Sequence, residues 1–544
     1  MSDSVDVRRS PSECVSPLGP PGRCCPHVSV PILEGGIVPD GVWRRDRGVE
    51  GVVAVASLVL SLSQFLTSRL PSAFDSGVYF GAASEFVNGH LPYRDFAFVQ
   101  PPGGLLLLTP WALVGRWTNL PFAFALARGC SAVVVAAVAV LVSRLTLSYG
   151  RRASLVAGAA TALAPTAVYE MTSVKLESYC LLLSLLAAWW VLSADPRSLR
   201  ALRRRIGAAG LVIGFAGAVK LWAFLPFVAL VACVWSYGPR LLARFLLWTT
   251  VGFSVAVGPF LLVAPSAFLE DVVVAQLRRS HNVLGAVGTM ERLSQMTGLR
   301  QTPFALNDAG LLVLYGVVVA MVLGALVVGG PRGLVDRFFL GASALTLIAL
   351  LGAREFYAYY AYFLTPLAVG LIVTSVVRIW RWSSPWRAAS IRVRPRSFTA
   401  WGTSLVVVAA SACALSFYSV HRLSEVVAGR APPTSIGRYI APGSCVIFDD
   451  AIQGIVSNRL ISSSPSCPVV VDAGGLAMAL GGQDPSRSLA LARTWRHDLL
   501  GARYVVLAGL TPLGIPWTRS LYQWFVARFR VVVNEITYVI YRRA

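Results

Sequence analysis

Long apolar runs alternate with short polar segments over most of the chain. Each run approaches the 17–25 residues that a helix needs to cross a hydrocarbon core of about 30 Å. The pattern therefore predicts a polytopic α-helical membrane protein with about eleven spans. The predicted spans are 51–70, 122–143, 153–169, 177–194, 206–219, 221–235, 245–264, 308–329, 338–352, 361–378 and 399–420.

The segment 206–235 is the ambiguous part of this pattern. Its thirty residues are few for two crossings, yet both of its flanks are basic, so the chain must return to the side that it left. Two short helices and a re-entrant hairpin both satisfy that condition. In either case Lys220 is expected at the outer tip.

The two ends of the chain differ from the apolar middle. Residues 1–50 are polar, rich in Pro, Gly and Ser, and predict a disordered tail. The arginines directly before the first span place that tail in the cytoplasm. Residues 421–544 predict a compact α/β domain, which the odd number of spans places outside. Its short Val-rich runs predict strands at 445–450, 468–472 and 504–508, a helix at 486–500, and further β structure at 525–533 and 535–542.

Composition supports the membrane assignment. Only 14% of the residues are charged, against about 25% in a soluble protein, and mean hydropathy is +0.64. The net charge of +22 does not indicate nucleic acid, because the cations follow membrane topology. Putative inner segments hold 17 Lys and Arg in 57 positions, and putative outer segments hold 8 in 113. Almost all cations are arginine, which associates with a GC-rich bacterial genome and hence with a bacterial plasma membrane.

The first outer loop, residues 71–121, carries most of the candidate chemistry. Its apolar spacing predicts helices at 75–87 and 105–114 that lie along the membrane surface. The loop holds Asp75, Glu85 and Asp95 in a chain that is poor in acids. Asp75 is the predicted base, with helix capping as the alternative. Asp95 is a second candidate, with an ion pair with Arg94 or turn formation as its alternative, and Glu85 is predicted to be solvated or interfacial.

A spaced set of residues runs through this loop, from an acid at its start to a proline pair near its end. Its members are Asp75, Gly77, Tyr79, Ala83, Phe86, Gly89, Pro92, Tyr93, Arg94, Asp95, Pro101 and Pro102. This pattern resembles the first outer loop of the GT-C glycosyltransferases, most of all the branch with protein O-mannosyltransferases and the lipid A aminoarabinose transferase. The resemblance covers about residues 50–420, and the C-terminal domain is similar to those appended to actinobacterial members.

This resemblance implies transfer of a sugar from a polyprenyl-phosphate donor on the outer face of the membrane. The acceptor is a glycan, a lipid or a protein, and mannose and arabinofuranose both fit as the sugar. The catalytic acid of the family corresponds to Asp75. The sequence departs from the family at Ser76, where many members have a second acid, and at Gln100, where some have a basic residue. Both departures leave the acceptor and the use of a metal open.

Such a transfer needs a base for the acceptor hydroxyl and cations for the leaving phosphate. Rim charges and a belt of interfacial aromatics are the alternatives for the candidates below. A divalent metal between Asp75 and Asp95 stays possible, although the cation Arg94 beside them argues against it. The phosphate-binding candidates are Arg94, Lys175, Lys220, Arg278, Arg279 and Arg354, and the donor-sugar or lipid candidates are Tyr79, Tyr357, Tyr360 and His281. An oxidising outer compartment allows a disulfide between Cys445 and Cys467.

Two other classes of function fit the same chain. A transporter or lipid flippase is the first alternative, although the sequence shows no two-fold repeat. A non-enzymatic scaffold of envelope assembly is the second. The absence of a Gly-rich phosphate loop disfavours a nucleotide-sugar donor inside the cell.

Overall fold

The computed structural model describes residues 46–68, 74–278, 287–299, 304–328, 332–390, 433–481, 484, 487–508 and 514–544. Most of these residues are helical. In the apolar part the helices are α1 Arg47–Thr67, α2 Phe74–Val87, α3 Gly103–Trp117, α4 Leu120–Thr146, α5 Arg151–Ala162, α6 Val168–Thr172, α7 Leu176–Leu192, α8 Leu199–Val219, α9 Phe224–Trp235, α10 Pro239–Val263, α11 Pro265–Leu269, α12 Ala275–Arg278, α13 Thr289–Thr297, α14 Asp308–Val327, α15 Leu334–Gly352 and α16 Ala361–Ser390.

The apolar helices confirm a multi-pass membrane protein. Among the described residues, six helices are long and apolar enough to cross a membrane. A seventh span results if α6 and α7, which meet at an angle of 108°, are counted as one bent crossing. The predicted spans within the described residues overlap helices, but 153–169 is divided, because α5 ends at Ala162 and a break separates it from α6. The predicted span 399–420 lies outside the described residues. The total of about eleven crossings stays a prediction.

The ambiguous segment 206–235 contains a break at Lys220. The helix before it is longer than predicted, because Ser198 caps it by accepting a hydrogen bond from Ala201 N and the four arginines that follow are helical. Glycines let α8 pack closely against α10: a Cβ at Gly214 would lie 2.0 Å from Thr249 O. A 3₁₀ turn at Leu221–Ala223 then leads into α9.

The first outer loop forms the two predicted helices, α2 and α3. Protein encloses α2, since Val78, Phe80 and Ala83 are each at most 2% exposed. The prediction that Glu85 is solvated or interfacial is wrong. It is 4% exposed and lies 2.8 Å from Nδ1 of His90, because a buried carboxylate needs such a partner.

The C-terminal residues form a four-stranded mixed sheet in the order β1-β2-β4-β3. β1 and β2 are parallel, while β4 is antiparallel to both β2 and β3. Residues 468–472, predicted as a strand, form a loop instead, and Val471 of that loop packs against α2 at Gly81. The elements are β1 Val446–Phe448, α17 Ala451–Val456, α18 Ala473–Gly481, α19 Leu489–Gly501, β2 Tyr504–Leu507, α20 Arg519–Val526, β3 Phe529–Asn534 and β4 Val539–Arg543.

The sheet region packs directly on the helix that carries Asp75. A Cβ added at Gly77 would lie 2.5 Å from the backbone nitrogen of Ile452, at the start of α17. Only glycine permits this approach of the two helices. The C-terminal region therefore forms part of the wall around Asp75.

Candidate active site

Asp75 lies in the first turn of α2 and is held through one of its two carboxylate oxygens. Lys175 Nζ lies 3.1 Å from Oδ2, and the hydroxyl of Tyr359 donates a hydrogen bond to the same oxygen. No described residue donates to Oδ1, and the side chain is 26% exposed. One oxygen is thus fixed, and the other is open to a ligand.

Lys175 lies at the break between α6 and α7. Its side chain is fully buried, and Nζ lies 3.6 Å from the centroid of the Tyr359 ring. Ser76 Oγ donates to Val174 O at 3.0 Å, which ties this break to α2. Ser76 therefore helps to position Lys175, the residue that follows Val174.

Lys220 lies at the second break, between α8 and the turn that precedes α9. Its Nζ lies 2.5 Å from Glu177 Oε1, and both side chains are buried. Nζ also lies 5.1 Å from the Trp222 ring and 4.9 Å from the Tyr360 ring. The two lysines of the whole chain thus occupy one cluster, each beside a carboxylate. Lys220 is not exposed at an outer tip, because Glu177 pairs with it inside the protein.

The Pro-Pro-Gly-Gly motif explains how α3 meets both breaks. A Cβ at Gly103 would lie 2.6 Å from Ala218 O, two residues before Lys220. A Cβ at Gly104 would lie 2.7 Å from the side chain of Leu176, which follows Lys175. A side chain at Gly103 would push the backbone of the Lys220 segment away from α3, and one at Gly104 would force the Leu176 side chain to move.

Aromatic rings cover this charged cluster. Tyr357 and Tyr359 stack with their centroids 5.6 Å apart, and Tyr360 meets Trp222 edge to face at 4.6 Å. Tyr79 is buried on α2, one turn after Asp75. Three of the candidate tyrosines therefore lie at the site, together with Tyr359, which contacts the carboxylate directly.

Opposing effects act on the pKa of Asp75. Burial acts to raise it, but the positive charge of Lys175, the hydrogen bonds from Tyr359 and Lys175, and the charge of Lys220 outweigh burial. The net pKa is below the ordinary value for aspartate. Asp75 is therefore ionised at neutral pH.

Three further aspartates surround this region and were not found from the sequence. Burial and the negative charge of Asp75 raise the pKa of Asp450 and of Asp472 to about 7 each. Burial raises the pKa of Asp271 to about 6. Asp450 and Asp472 each accept a hydrogen bond from a backbone N–H at the start of a helix. Asp271 accepts a hydrogen bond from the backbone N–H of Phe98. Asp450 and Asp472 end segments that were predicted as strands, and Asp271 lies outside the first outer loop. Nothing local in the sequence therefore indicated that they lie near Asp75.

The structure does not bring Arg94 or Asp95 to Asp75. Arg94 Nε and Nη2 each lie 2.8 Å from an oxygen of Asp95, and Asp95 also accepts Leu91 N at 2.7 Å. The ion-pair alternative therefore describes both residues. The Pro-Tyr-Arg-Asp-Phe motif forms a tight turn around Tyr93, which has φ of 68° and is buried.

Asp95 is engaged by Arg94 and Leu91 N, and no hydrogen bond or ion pair of the described residues joins it to Asp75. The described parts of the chain contain no group of three or more His, Cys, Asp or Glu side chains able to hold a metal ion. Arg354, an exposed candidate for the donor phosphate, donates to Leu277 O at 2.9 Å. Arg279, His281 and the side chain of Arg278 lie outside the described residues. Cys445 and Cys467 are joined by a disulfide bond in the structure.

The arrangement is the GT-C fold of integral-membrane glycosyltransferases. A crystal structure of ArnT from Cupriavidus metallidurans, bound to undecaprenyl phosphate, is similar with a TM-score of 0.57 and 16% identity, covering 91% of this chain and 98% of that one. The apo structure of the same protein gives a TM-score of 0.56 and 15% identity, with coverage of 91% and 97%. At these identities the similarity shows the fold, which confirms the resemblance found in the sequence.

A third solved structure is more distant. The oligosaccharyltransferase AglB from Archaeoglobus fulgidus, in complex with an inhibitory peptide and a dolichol-phosphate, has a TM-score of 0.47 and 13% identity, covering 84% of this chain and 69% of that one. No protein-family model matches the chain. No curated protein matches it by sequence.

Proposed function

We propose that the protein transfers a sugar from a polyprenyl-phosphate donor to a glycan, lipid or protein acceptor at the outer face of a bacterial plasma membrane. The GT-C fold and the undecaprenyl phosphate bound to ArnT support the class of donor. The observation that carries the proposal is the Asp75 carboxylate, ionised, fixed at Oδ2 and open at Oδ1. The C-terminal sheet region, on the same side as Asp75, is then extracytoplasmic.

The roles of the residues follow from this geometry. Asp75 Oδ1 accepts the proton of the acceptor hydroxyl while the hydroxyl oxygen attacks the anomeric carbon of the donor. The bond from that carbon to the phosphate oxygen breaks, and its electron pair leaves with the polyprenyl phosphate. Lys175, Lys220 and Arg354 are the cations proposed to stabilise the leaving phosphate. Tyr79, Tyr357 and Tyr360 are proposed to contact the donor sugar or its lipid.

The test is transfer of a radiolabelled sugar by the purified full chain in detergent. Asp75→Asn keeps the size of the side chain but removes the base, and a fall in kcat of about 10²–10⁴-fold is expected. Asp95→Asn is the matched control in the same loop and is expected to retain activity, because Asp95 pairs with Arg94. Full activity of a folded Asp75→Asn variant would exclude the proposed base.

A transporter or flippase is the second candidate. The bend of 108° between α6 and α7, with Lys175 at the break, is a feature that transporters share. Transporters usually place such broken helices in paired internal repeats, and the sequence shows no two-fold repeat. Reconstituted vesicles separate the two functions, since movement of the lipid-linked sugar without formation of a glycosidic bond would favour transport.

A further inference from the structure

A cleft of about 200 Å³ lies far from Asp75, at the opposite end of α7. Its walls are Trp189, Trp190, Arg204, Arg205 and Ala208. Trp189 is fourteen residues after Lys175, so the cleft is about 20 Å along the helix from that lysine. A distance of this size places the cleft near the other face of the membrane, and no part of it belongs to the candidate active site.

The two arginines of the cleft differ in how they are held. Arg205 Nη1 donates to the carbonyl oxygen of Ser193 and lies 3.2 Å from Ser193 Oγ. These contacts fix its guanidinium at the end of α7. Arg204 is exposed and has no hydrogen-bond or ion-pair partner among the described residues. The cleft therefore has a fixed cation beside an available one and no acidic residue in its lining.

The aromatic wall is also fixed in place. The guanidinium of Arg144 lies 4.1 Å from the centroid of the Trp189 ring. Arg144 is itself neutralised by Glu50, whose Oε1 lies 3.2 Å from Nε. The ring of Trp189 is thus held from behind by a neutral pair, and the positive charge of the cleft comes from Arg204 and Arg205.

We propose that this cleft binds the phosphodiester headgroup of an anionic phospholipid in the inner leaflet. The planar guanidinium forks of Arg204 and Arg205 bind phosphate oxygens. Trp189 and Trp190 contact the glycerol backbone and the first acyl carbons, as tryptophan does at membrane interfaces. Basic pockets between membrane helices are suited to such headgroups.

A solvated basic loop next to an interfacial aromatic belt is the simpler explanation of the same residue types. That explanation requires neither a cleft nor an arginine fixed by the end of the preceding helix. The contacts of Arg205 with Ser193 and the position of Trp189 on Arg144 form a preorganised wall, which lowers the cost of binding. The pair of indole rings selects a lipid over a free phosphate, because a soluble anion leaves the apolar wall uncovered.

The experiment measures the thermal unfolding midpoint of the full chain in detergent during titration with phosphatidylglycerol or phosphatidylcholine. Phosphatidylglycerol is expected to raise the midpoint, and phosphatidylcholine is not. Arg204→Gln removes one charged contact with the headgroup. The concentration of phosphatidylglycerol that half-saturates this variant should therefore be about tenfold higher than for the wild type. Arg203→Gln is the matched control: this neighbouring arginine is also exposed but does not line the cleft, and its variant should behave as the wild type.

Two results would overturn the proposal. Equal weakening in the Arg203 and Arg204 variants would show diffuse attraction between the basic segment and the anionic lipid. Inorganic phosphate or glycerol phosphate that raises the midpoint as much as phosphatidylglycerol would show that the site takes a soluble anion. Neither result depends on the transfer reaction, so the proposal stands or falls independently of the role of Asp75.

Discussion

Replacement of Lys175 by methionine tests the electrostatics of the candidate active site most directly. Methionine fills nearly the same volume in a position that is fully buried, so packing changes little. The substitution removes the charge 3.1 Å from Asp75 Oδ2. The charge of Lys175 is the largest of the effects that lower the pKa of Asp75, so without it the effect of burial, which raises that pKa, is less opposed.

The size and sign of the change follow from these contacts. An opposite charge at this distance lowers the pKa of a carboxyl group by about one to three pH units, so its removal raises the pKa by a similar amount. In the wild type, the pKa of Asp75 lies below the ordinary value for aspartate, so the base stays ionised in mildly acidic solution. In Lys175→Met, the acid limb of the activity should move to higher pH, because the opposing charge that lowered the pKa of Asp75 is gone. At pH values above both acid limbs the base is ionised in both proteins, so a loss there reports weaker stabilisation of the leaving phosphate.

The measurement is the pH dependence of kcat/KM for sugar transfer. Its acid limb reports the pKa of the essential base in the free enzyme. Arg94→Met is the matched control, because it removes an arginine of the same loop that pairs with Asp95. An acid limb that stays in place in Lys175→Met would refute either the role of Asp75 as the base or the pairing that sets its pKa.

Two further substitutions probe the surroundings of Asp75. Tyr359→Phe removes the hydroxyl that donates to Asp75 Oδ2 but keeps the ring beneath Lys175, and should reduce kcat about tenfold. Tyr237→Phe is the control, because its hydroxyl donates to Val191 O at 3.2 Å and has no part in the site; it should change kcat little, and equal losses would contradict the assignment. Gly77→Ala places a Cβ 2.5 Å from Ile452 N and should destabilise the protein by about 1–3 kcal/mol in thermal unfolding. Gly51→Ala is the control and should not destabilise the protein, because a Cβ at this position of α1 meets no atom within 4 Å. A Gly77→Ala variant as stable as the wild type would contradict the close contact with Ile452.

The helices of this protein were predictable because lipid imposes a simple rule. A segment that crosses the hydrocarbon core must be apolar over its length and must satisfy its backbone internally. Apolar runs therefore coincide with helices from α1 to α16. The helix pair in the first outer loop was predictable for a related reason, since Asn88-Gly89 and the proline pair are strong helix breakers.

The partners of Asp75 could not be predicted by the same reasoning. Arg94, the cation of the same loop, pairs with its own neighbour Asp95 and not with Asp75. Lys175 is 100 residues from Asp75 and Tyr359 is 284 residues away. Contacts of this separation depend on how the helices pack, and no local pattern encodes them.

Glu177 was missed although the sequence contained a signal for it. The residue lies in an apolar run, and an ionisable side chain within such a run is expensive unless it has a partner and a role. The sequence pattern predicted roles for Lys175 and Lys220 but none for the carboxylate beside Lys220. The acid at the start of the predicted span 177–194 was the signal for that carboxylate.

The choice of lysine at both helix breaks has a physical reason. Lysine carries a compact charge that one carboxylate can satisfy in a buried position, whereas the five donors of arginine require more acceptors. Asp75 with Lys175, and Glu177 with Lys220, therefore form two nearly neutral pairs. In the proposed transfer, Asp75 loses its negative charge when it takes the acceptor proton, at the moment when the leaving phosphate gains charge. Lys175 then loses its carboxylate partner, and its positive charge becomes available to the phosphate. Proton acceptance and stabilisation of the leaving group are thus coupled through one buried cation.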